Sequence, residues 1–186
     1  MNVACFTDHF LIAMPGLEDP HFAQALVYIC AHNEQGALGL VVNRPLELTL
    51  GEVLAQLEMP PASEEIAARS VFYGGPVEME RGFVLHHPAG AWESTFVTPS
   101  GVALTSSRDI LRAIAAGSGP ERHLMALGYA GWAAGQLEDE VAANVWLCGE
   151  GDVGILFDLP PEARLRAVAE KMGVDLSRLS SQAGHA

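Results

Sequence analysis

The chain has 186 residues, of which 49% are hydrophobic and 18% charged, a composition typical of a globular protein and not of a disordered one. Its 10 basic residues are outnumbered by 23 acidic ones, and the net charge of −13 disfavours direct nucleic-acid binding, which depends on Arg and Lys contacts to phosphate. No apolar run approaches the roughly 20 residues that a membrane-spanning helix requires, which excludes that class of protein.

The amino-terminal residues and the cysteines bear on where the protein works. Residues 1–9 lack the basic start and the long apolar stretch of a secretory signal. Cys5, Cys30 and Cys148 are odd in number and widely spaced, which indicates reduced thiols and not a disulfide framework. We therefore expect a cytoplasmic protein with a single domain over residues 1–186, in which residues 180–186 form a frayed tail.

Strand-forming residues dominate the first part of the chain. β-Branched and aromatic residues predict strands over Phe10–Ala13, Ala25–Ala31 and Leu38–Val42. The short polar segment Asn33–Gly36 predicts a turn that pairs the second and third strands as an antiparallel hairpin. A phosphate-binding loop is not indicated there, because neither a lysine nor a helix start follows the glycine.

The middle of the chain combines one short helix with further strands. The helix is predicted over Leu50–Leu57, and the segment from Pro60 to Glu65 reads as a loop inserted before the sheet resumes. Gly74–Val77 predicts a turn, because its glycines permit positive φ angles and its proline has a fixed φ. Strands are predicted on both sides of that turn and beyond it, over Val71–Tyr73, Gly82–His86, Ser94–Thr98 and Val102–Thr105.

Helices become more frequent towards the carboxyl end. Apolar residues at helical spacing follow Ser106 and Ser107, either of which is expected to cap a helix that Gly117 ends. A last helix is predicted from Pro161 to Gly173. Between them lie a strand, a helix and two strands, predicted over Leu124–Tyr129, Gln136–Ala143, Val145–Cys148 and Gly154–Phe157. Because strands outnumber helices and do not alternate regularly with them, the pattern predicts an α+β fold.

Several residues are candidates for binding a ligand or a partner. Arg44 follows Asn43 at the end of a predicted strand, where its guanidinium suits a carboxylate or a phosphate, or else holds a neighbouring loop. In the segment Gly128–Glu138, Trp132 offers a flat surface for stacking, or else packs in the core. The full set of candidates is Asn43, Arg44, Gly74, Gly75, His86, Trp132 and Gln136.

Catalytic, metal and cofactor sites are not predicted. No histidine pair has the i, i+4 spacing of a helical metal site, and the adjacent His86 and His87 would point to opposite faces of a strand. Neither Ser106 nor Ser107 lies in the Gly-x-Ser-x-Gly motif of a nucleophile. No Gly-x-Gly-x-x-Gly motif follows a strand, so a dinucleotide cofactor is not indicated.

The segments Gly39–Pro45, Gly74–Val77 and Gly128–Glu138, in this order, resemble the AlgH/YqgE family of bacterial proteins. The resemblance extends over nearly the whole chain. It implies a strongly bent, largely antiparallel β-sheet that forms a pseudo-barrel with helices packed on the outside. Members are labelled as transcriptional regulators, and the family supplies no catalytic residues to carry over. One departure is Ala31, where members commonly carry Glu.

Three hypotheses about function follow from these observations. The lack of a catalytic constellation favours a cytosolic, non-catalytic binding module that acts in regulation by holding a protein partner or a small ligand. The alternative is an enzyme acting on a small anionic or nucleotide-like molecule, which requires Asn43, Arg44, His86, Trp132 and Gln136 to converge in one cleft. A direct DNA-binding regulator is a second alternative that the family label favours and the net charge disfavours.

Overall fold

The computed structural model describes residues 5–17 and 19–182, except for the side chains of residues 180–182. Residues 1–4 of the segment considered for a secretory signal, and residues 183–186 of the predicted tail, lie outside this description. The strands are β1 (His9–Ala13), β2 (Leu26–Asn33), β3 (Gly36–Val41), β4 (Pro45–Thr49), β5 (Ser70–Tyr73), β6 (Val77–His87), β7 (Thr95–Val97), β8 (Ala103–Thr105), β9 (Arg122–Ala133) and β10 (Trp146–Glu150).

The helices of the described residues are short. They are α1 (Leu50–Gln56), α2 (Glu64–Ala67), α3 (Arg108–Ala115), α4 (Gln136–Ala142), α5 (Val153–Phe157), α6 (Pro161–Lys171) and α7 (Leu176–Gln182). Within the part of the chain that the structure describes, no helix is long and apolar enough to cross a membrane.

One long strand, β9, organises the sheet. The strand order is β10-β1-β2-β3-β9-β6-β8-β7, with β5 also paired to β9 and β4 paired to β5. The first part of β9 pairs with β6 and β5, whereas its last residues pair with β3, where Gly36 lies opposite Ala133. The pairs described are antiparallel except β5–β9. The predicted hairpin of the second and third strands is confirmed as β2–β3.

The sheet is strongly curled. Side chains of the inner face form a single apolar cluster, the inner cluster, which includes Phe10 of β1 and Leu104 of β8, although these strands are distant in the strand order. Successive residues alternate between faces, so Phe83 and Leu85 join this cluster while Val84 joins another. The other face carries two separate clusters, covered by α1 and α3 and by α4. The predicted α+β fold with a bent, largely antiparallel sheet is therefore confirmed, and its shape is a half-barrel.

Three glycines let the β5–β6 connection cross β9 at close range. A Cβ atom added to Gly74 would overlap the backbone oxygen of Gly128, and one added to Gly75 would overlap the backbone of Tyr129. Gly74 also joins three strands, because its N–H donates to Leu127 O at 2.8 Å and its carbonyl accepts from Val41 N at 2.8 Å. Backbone atoms therefore occupy the space where side chains would lie, and the role of these glycines is to allow close packing within the sheet.

A cluster of side chains joins distant parts of the curled sheet. The Tyr28 hydroxyl of β2 donates to the Asp8 carboxylate at 2.5 Å, and the Ser100 hydroxyl donates to the same oxygen at 2.9 Å. Asp8 precedes β1, whereas Ser100 follows β7, the last strand at the other end of the sheet. Burial and the neighbouring carboxylate raise the pKa of Tyr28 well above its ordinary value. We name this group of three residues the Asp8 cluster.

Two predicted elements differ from the structure. The strand predicted over Gly154–Phe157 is wrong, because these residues form helix α5. Asp152 begins the helix with a carboxylate that accepts from Ile155 N at 3.1 Å, and the consecutive residues Ile155 and Leu156 are both buried. The loop predicted from Pro60 to Glu65 is wrong in part, because Ser63 caps α2 by accepting from Ile66 N.

Other elements had no counterpart in the predictions or differ in detail. Strand β4 and helix α7 were not predicted. Ser107 does hold the N-cap position of α3, yet its hydroxyl does not cap that helix. Instead it accepts from Ser94 N at 3.2 Å and donates to Asp109. The start of α3 is thus tied to the segment before β7.

Candidate functional site

Asn43 and Arg44 anchor a neighbouring segment. The Arg44 guanidinium donates through Nη1 and Nη2 to backbone carbonyls of residues 20–23. The Asn43 side chain accepts from Leu26 N at 2.9 Å and donates to Gln24 O at 3.0 Å. These contacts match the interpretation in which Arg44 holds a loop, and they occupy both terminal nitrogens of its guanidinium.

Trp132 and Gln136 also make contacts within the protein. Trp132 is only 7% exposed and packs edge-on against Trp146, with ring centroids 5.9 Å apart. The Gln136 side chain accepts from Ala133 N at 3.0 Å, which links the first residue of α4 to the end of β9. The face of Trp132 thus contributes to an outer apolar cluster of the sheet.

His86 is completely buried and uses both ring nitrogens. Its Nδ1 donates to the Pro88 carbonyl at 3.0 Å, since a carbonyl can only accept, and its Nε2 therefore accepts from the Thr105 hydroxyl at 2.7 Å. Burial lowers the pKa of His86 below its ordinary value, so the ring is neutral at pH 7. The hydrogen bonds account for the neutral ring without a ligand.

The sequence-predicted candidates do not converge. Asn43 and Arg44 contact residues 20–26, the His86 side chain of β6 bonds to β8, and Gln136 begins α4. None of the seven candidates lines any of four well-formed cavities of the described chain. These contacts place the five residues that the enzyme hypothesis requires at separate positions in the fold.

A different cavity has the composition of a binding site. It has a volume of about 220 Å³, and its polar lining residues are Arg69, Ser70, His123 and Arg164. Apolar side chains of the sheet, α5 and the start of α6 complete the walls. No Asp or Glu belongs to this lining, although the chain contains 23 acidic residues. We name it the Arg69–Arg164 cavity.

Arg164 enters the cavity from α6 and is only 6% exposed. Its guanidinium lies 5.1 Å from the ring centroid of Phe72 and donates to two carbonyls, from Nη1 to Val42 at 2.5 Å and from Nε to Leu159 at 3.2 Å. Among the described residues, Nη2 has no hydrogen-bond partner. Burial lowers the pKa of Arg164 to about 10, and the side chain therefore remains protonated at neutral pH.

Arg69 reaches the same cavity from the segment before β5. Its Nη1 donates to His123 Nε2 at 2.9 Å, so this ring nitrogen must be unprotonated. Burial, together with the charge of Arg69, lowers the pKa of His123 to about 4, which keeps the ring neutral at pH 7. The His123 ring thus orients the arginine without adding a second positive charge beside it.

Neither cavity arginine forms an ion pair within the described part of the chain. Asp158, at the end of α5, pairs instead with Arg122 at 2.8 Å. Glu162 raises the pKa of Arg164 through its charge but makes no ion pair with it. The cavity therefore presents two positive charges that the protein leaves without a carboxylate partner.

Sequence reasoning did not find this site, because its two arginines are far apart in the chain and belong to no motif. One signal was present. Arg164 lies four residues before Val168, which places it on the buried stripe of α6. A charged residue on an apolar stripe is unusual and indicates a specific role. For metals, the described residues contain no group of three His, Cys, Asp or Glu side chains that could hold an ion.

The curled, largely antiparallel sheet with its helices places the chain among the α+β proteins of half-barrel shape. The chain belongs to the AlgH-like family, whose sequence profile matches residues 10–177. A UPF0301 protein of Azoarcus sp. (strain BH72) is 55% identical to it over 183 residues, which cover 98% of this chain and 97% of that protein.

Solved structures agree with this assignment. The solution structure of the AlgH protein from Pseudomonas aeruginosa has a TM-score of 0.81 and 51% sequence identity, covering 100% of this chain and 98% of that one. A crystal structure of a protein from Corynebacterium diphtheriae has a TM-score of 0.72 at 16% identity, with 96% and 93% of the chains covered. The second likeness concerns the fold alone.

Proposed function

We propose that this protein is a non-catalytic binding module that holds a small anionic ligand in the Arg69–Arg164 cavity. The observation that carries this proposal is the lining itself. Two arginines, one of them 6% exposed, line a cavity without any carboxylate in a protein whose net charge is −13. A ligand carboxylate or phosphate would supply the missing counter-charge.

The energetics of the buried arginine support an anionic ligand. A charge removed from water is strongly destabilising unless it is paired or well hydrogen-bonded. Val42 and Leu159 compensate Arg164 with neutral carbonyls only, and Nη2 makes no bond within the described residues. Hydrogen bonds from arginine to an anion are about twice as strong as those between neutral groups. Ligand binding would thus recover part of the cost of burying this side chain.

The lining of this cavity is better suited to binding a ligand than to catalysing its reaction. Covalent catalysis needs a nucleophile hydrogen-bonded to a base. Ser70 and His123 both line the cavity, but no hydrogen bond joins them in the described chain, and the unprotonated nitrogen of His123 accepts from Arg69. The role in regulation and the cytoplasmic location remain parts of the proposal, the latter supported by the free thiols of Cys5, Cys30 and Cys148.

The test is a thermal-shift and calorimetric titration with acetate, succinate, sulfate and inorganic phosphate. At 100 times its dissociation constant, a ligand adds about 2.7 kcal/mol of stability, a Tm rise of several degrees for a domain of this size. We expect at least one anion to raise Tm in the wild type and in Arg112→Ala, an exposed arginine of α3 outside the cavity, but not in Arg69→Ala. A silent panel would overturn the proposal in favour of a protein partner.

A further inference from the structure

We infer that the ligand of the Arg69–Arg164 cavity is a small dianion whose two negative charges are divided between Arg69 and Arg164. The inference rests on the proposed anion-binding function and makes it specific. A monoanion would neutralise one guanidinium and leave the other, either the buried Arg164 or the exposed Arg69, without a counter-charge in the cavity. The charge of the lining, its free donors and its size all favour such a dianion.

The charge of the lining is two at neutral pH. Arg69 and Arg164 are both protonated there, since an arginine keeps its proton at any pH near 7. His123 adds no charge, because its pKa of about 4 leaves the ring neutral. Since no Asp or Glu lines the cavity, a single bound molecule must be a dianion to bring the occupied site to electrical neutrality.

Both guanidinium groups retain N–H donors that make no bond within the described residues. Arg164 has Nη2, while Arg69 has Nε and Nη2. These donors come from different elements, the segment before β5 and helix α6. A ligand that contacts both arginines therefore needs acceptor oxygens facing two directions, as the oxygens of a phosphate monoester or of a short dicarboxylate do.

The size of the cavity restricts the ligand further. Sites for drug-sized ligands have volumes of about 300–1,000 Å³. The Arg69–Arg164 cavity has about 220 Å³, which is enough to surround a small phosphate monoester or a four-carbon dicarboxylate but too small to surround a whole nucleotide. The two ligand types share one chemistry, that of a compact dianion rich in acceptor oxygens.

The test compares dianions with monoanions of matched shape by calorimetry at pH 7.5. Methyl phosphate is compared with methanesulfonate, and succinate with butyrate. We expect one dianion or both to bind at least about tenfold more tightly than the matched monoanion, a difference of about 1.4 kcal/mol. Whichever pair shows the preference identifies the source of the dianion, phosphate or dicarboxylate.

Variants of Arg69 connect the preference to the cavity, because this side chain is exposed and we expect its removal to leave the fold intact. In Arg69→Ala we expect the dianion preference to disappear, and in Arg69→Lys, which keeps the charge, we expect it to persist. Arg112→Ala should behave like the wild type. A preference unchanged in Arg69→Ala would overturn the assignment to this cavity.

The remaining outcomes separate the inference from the function on which it rests. If monoanions bind as tightly as their matched dianions, and binding still depends on Arg69, the dianion inference is wrong and the anion-binding function stands. If none of the four probes binds, the proposed function itself is wrong. Backbone amide shifts in an NMR titration should be largest around Ser70, His123 and Arg164, which line the cavity.

Discussion

Arg164 occupies a position at which an apolar residue is expected. It lies on the stripe of α6 that also carries Val168 and Ala169, both buried in the inner cluster of the half-barrel. Its aliphatic stem and the face of Phe72 compensate partly for burial, and two carbonyls accept from the guanidinium. A single residue thus belongs at once to the core and to the candidate site.

The neutral ring of His123 makes stability depend on pH. In the folded protein its pKa is about 4, whereas an unfolded histidine has a pKa of about 6.5. Between these values the unfolded chain binds a proton that the folded protein does not. The free energy of unfolding therefore falls as pH is lowered through this window, by up to about 1.4 kcal/mol per pH unit.

We test this linkage with His123→Gln in urea unfolding at pH 8, 6, 5 and 4.5. The variant lacks the titrating ring, so its stability relative to the wild type should improve steadily from pH 6 to pH 4.5. At pH 8 the histidine is neutral in both the folded and the unfolded wild-type chain. The difference in the free energy of unfolding between the two proteins at this pH therefore measures packing and hydrogen bonding alone. A difference that is the same at every pH would contradict the depressed pKa.

At the scale of elements, α5 shows how a local contact selects a helix where the sequence indicates a strand. The apolar run after Asp152 is short enough for either structure. Two contacts of the Asp152 carboxylate favour the helix, one to Ile155 N and one to Lys171 Nζ at 3.0 Å, and they lower the pKa of Asp152, mainly through Lys171. The second contact comes from α6 and was not readable from local sequence.

Replacement of Asp152 separates the cap from the ion pair. Asp152→Ala removes both contacts, and the loss of an N-cap alone costs about 1 kcal/mol. Asp152→Asn keeps an acceptor for the cap and loses the partly exposed ion pair with Lys171, which contributes less than about 1 kcal/mol. The urea midpoint should therefore be highest for the wild type, lower for Asp152→Asn and lowest for Asp152→Ala. Equal losses in the two variants would show that the cap is not what stabilises α5.

At the scale of the whole molecule, the Asp8 cluster connects residues near opposite ends of the strand order. Hydrogen bonds along the ladders connect only neighbouring strands, so they do not by themselves fix the overall curl. The Asp8 carboxylate accepts from both Tyr28 and Ser100, which adds a direct connection from β2 to the segment after β7. The inner apolar cluster spans the same distance and packs around Tyr28.

Removal of one hydroxyl tests that connection. Tyr28→Phe loses a hydrogen bond to a carboxylate in a buried setting, and we expect a loss of about 1.5–3 kcal/mol in the free energy of unfolding with the fold retained. Tyr73→Phe is the matched control, because within the described residues its hydroxyl bonds only to the exposed ring of His21, and a surface change of this kind stays within about 0.5 kcal/mol. If the two variants were equally stable, the Asp8 cluster would not hold the half-barrel.

The sequence predicted the strands and the fold class better than the candidate site. Buried strands such as β2 and amphipathic helices such as α3 were predictable, because their apolar residues follow the period of the element itself. The glycines of the family segments were also found, but the structure places Gly74 and Gly75 against the backbone of β9. These glycines are needed where two strands cross at close range. A sequence alone does not distinguish such a crossing from a ligand-binding loop.

Patterns among neighbours in the chain were enough to predict the periodic elements and the β2–β3 hairpin, and the order of the glycine-rich segments indicated the AlgH-like family. Which charges meet depends on how distant elements pack. Arg69 and Arg164 share a cavity because β5 and α6 pack on the same part of the half-barrel, and no local pattern encodes that contact. The physical reason is that secondary structure follows from short-range periodicity, whereas a binding site arises where distant elements bring unpaired charges together.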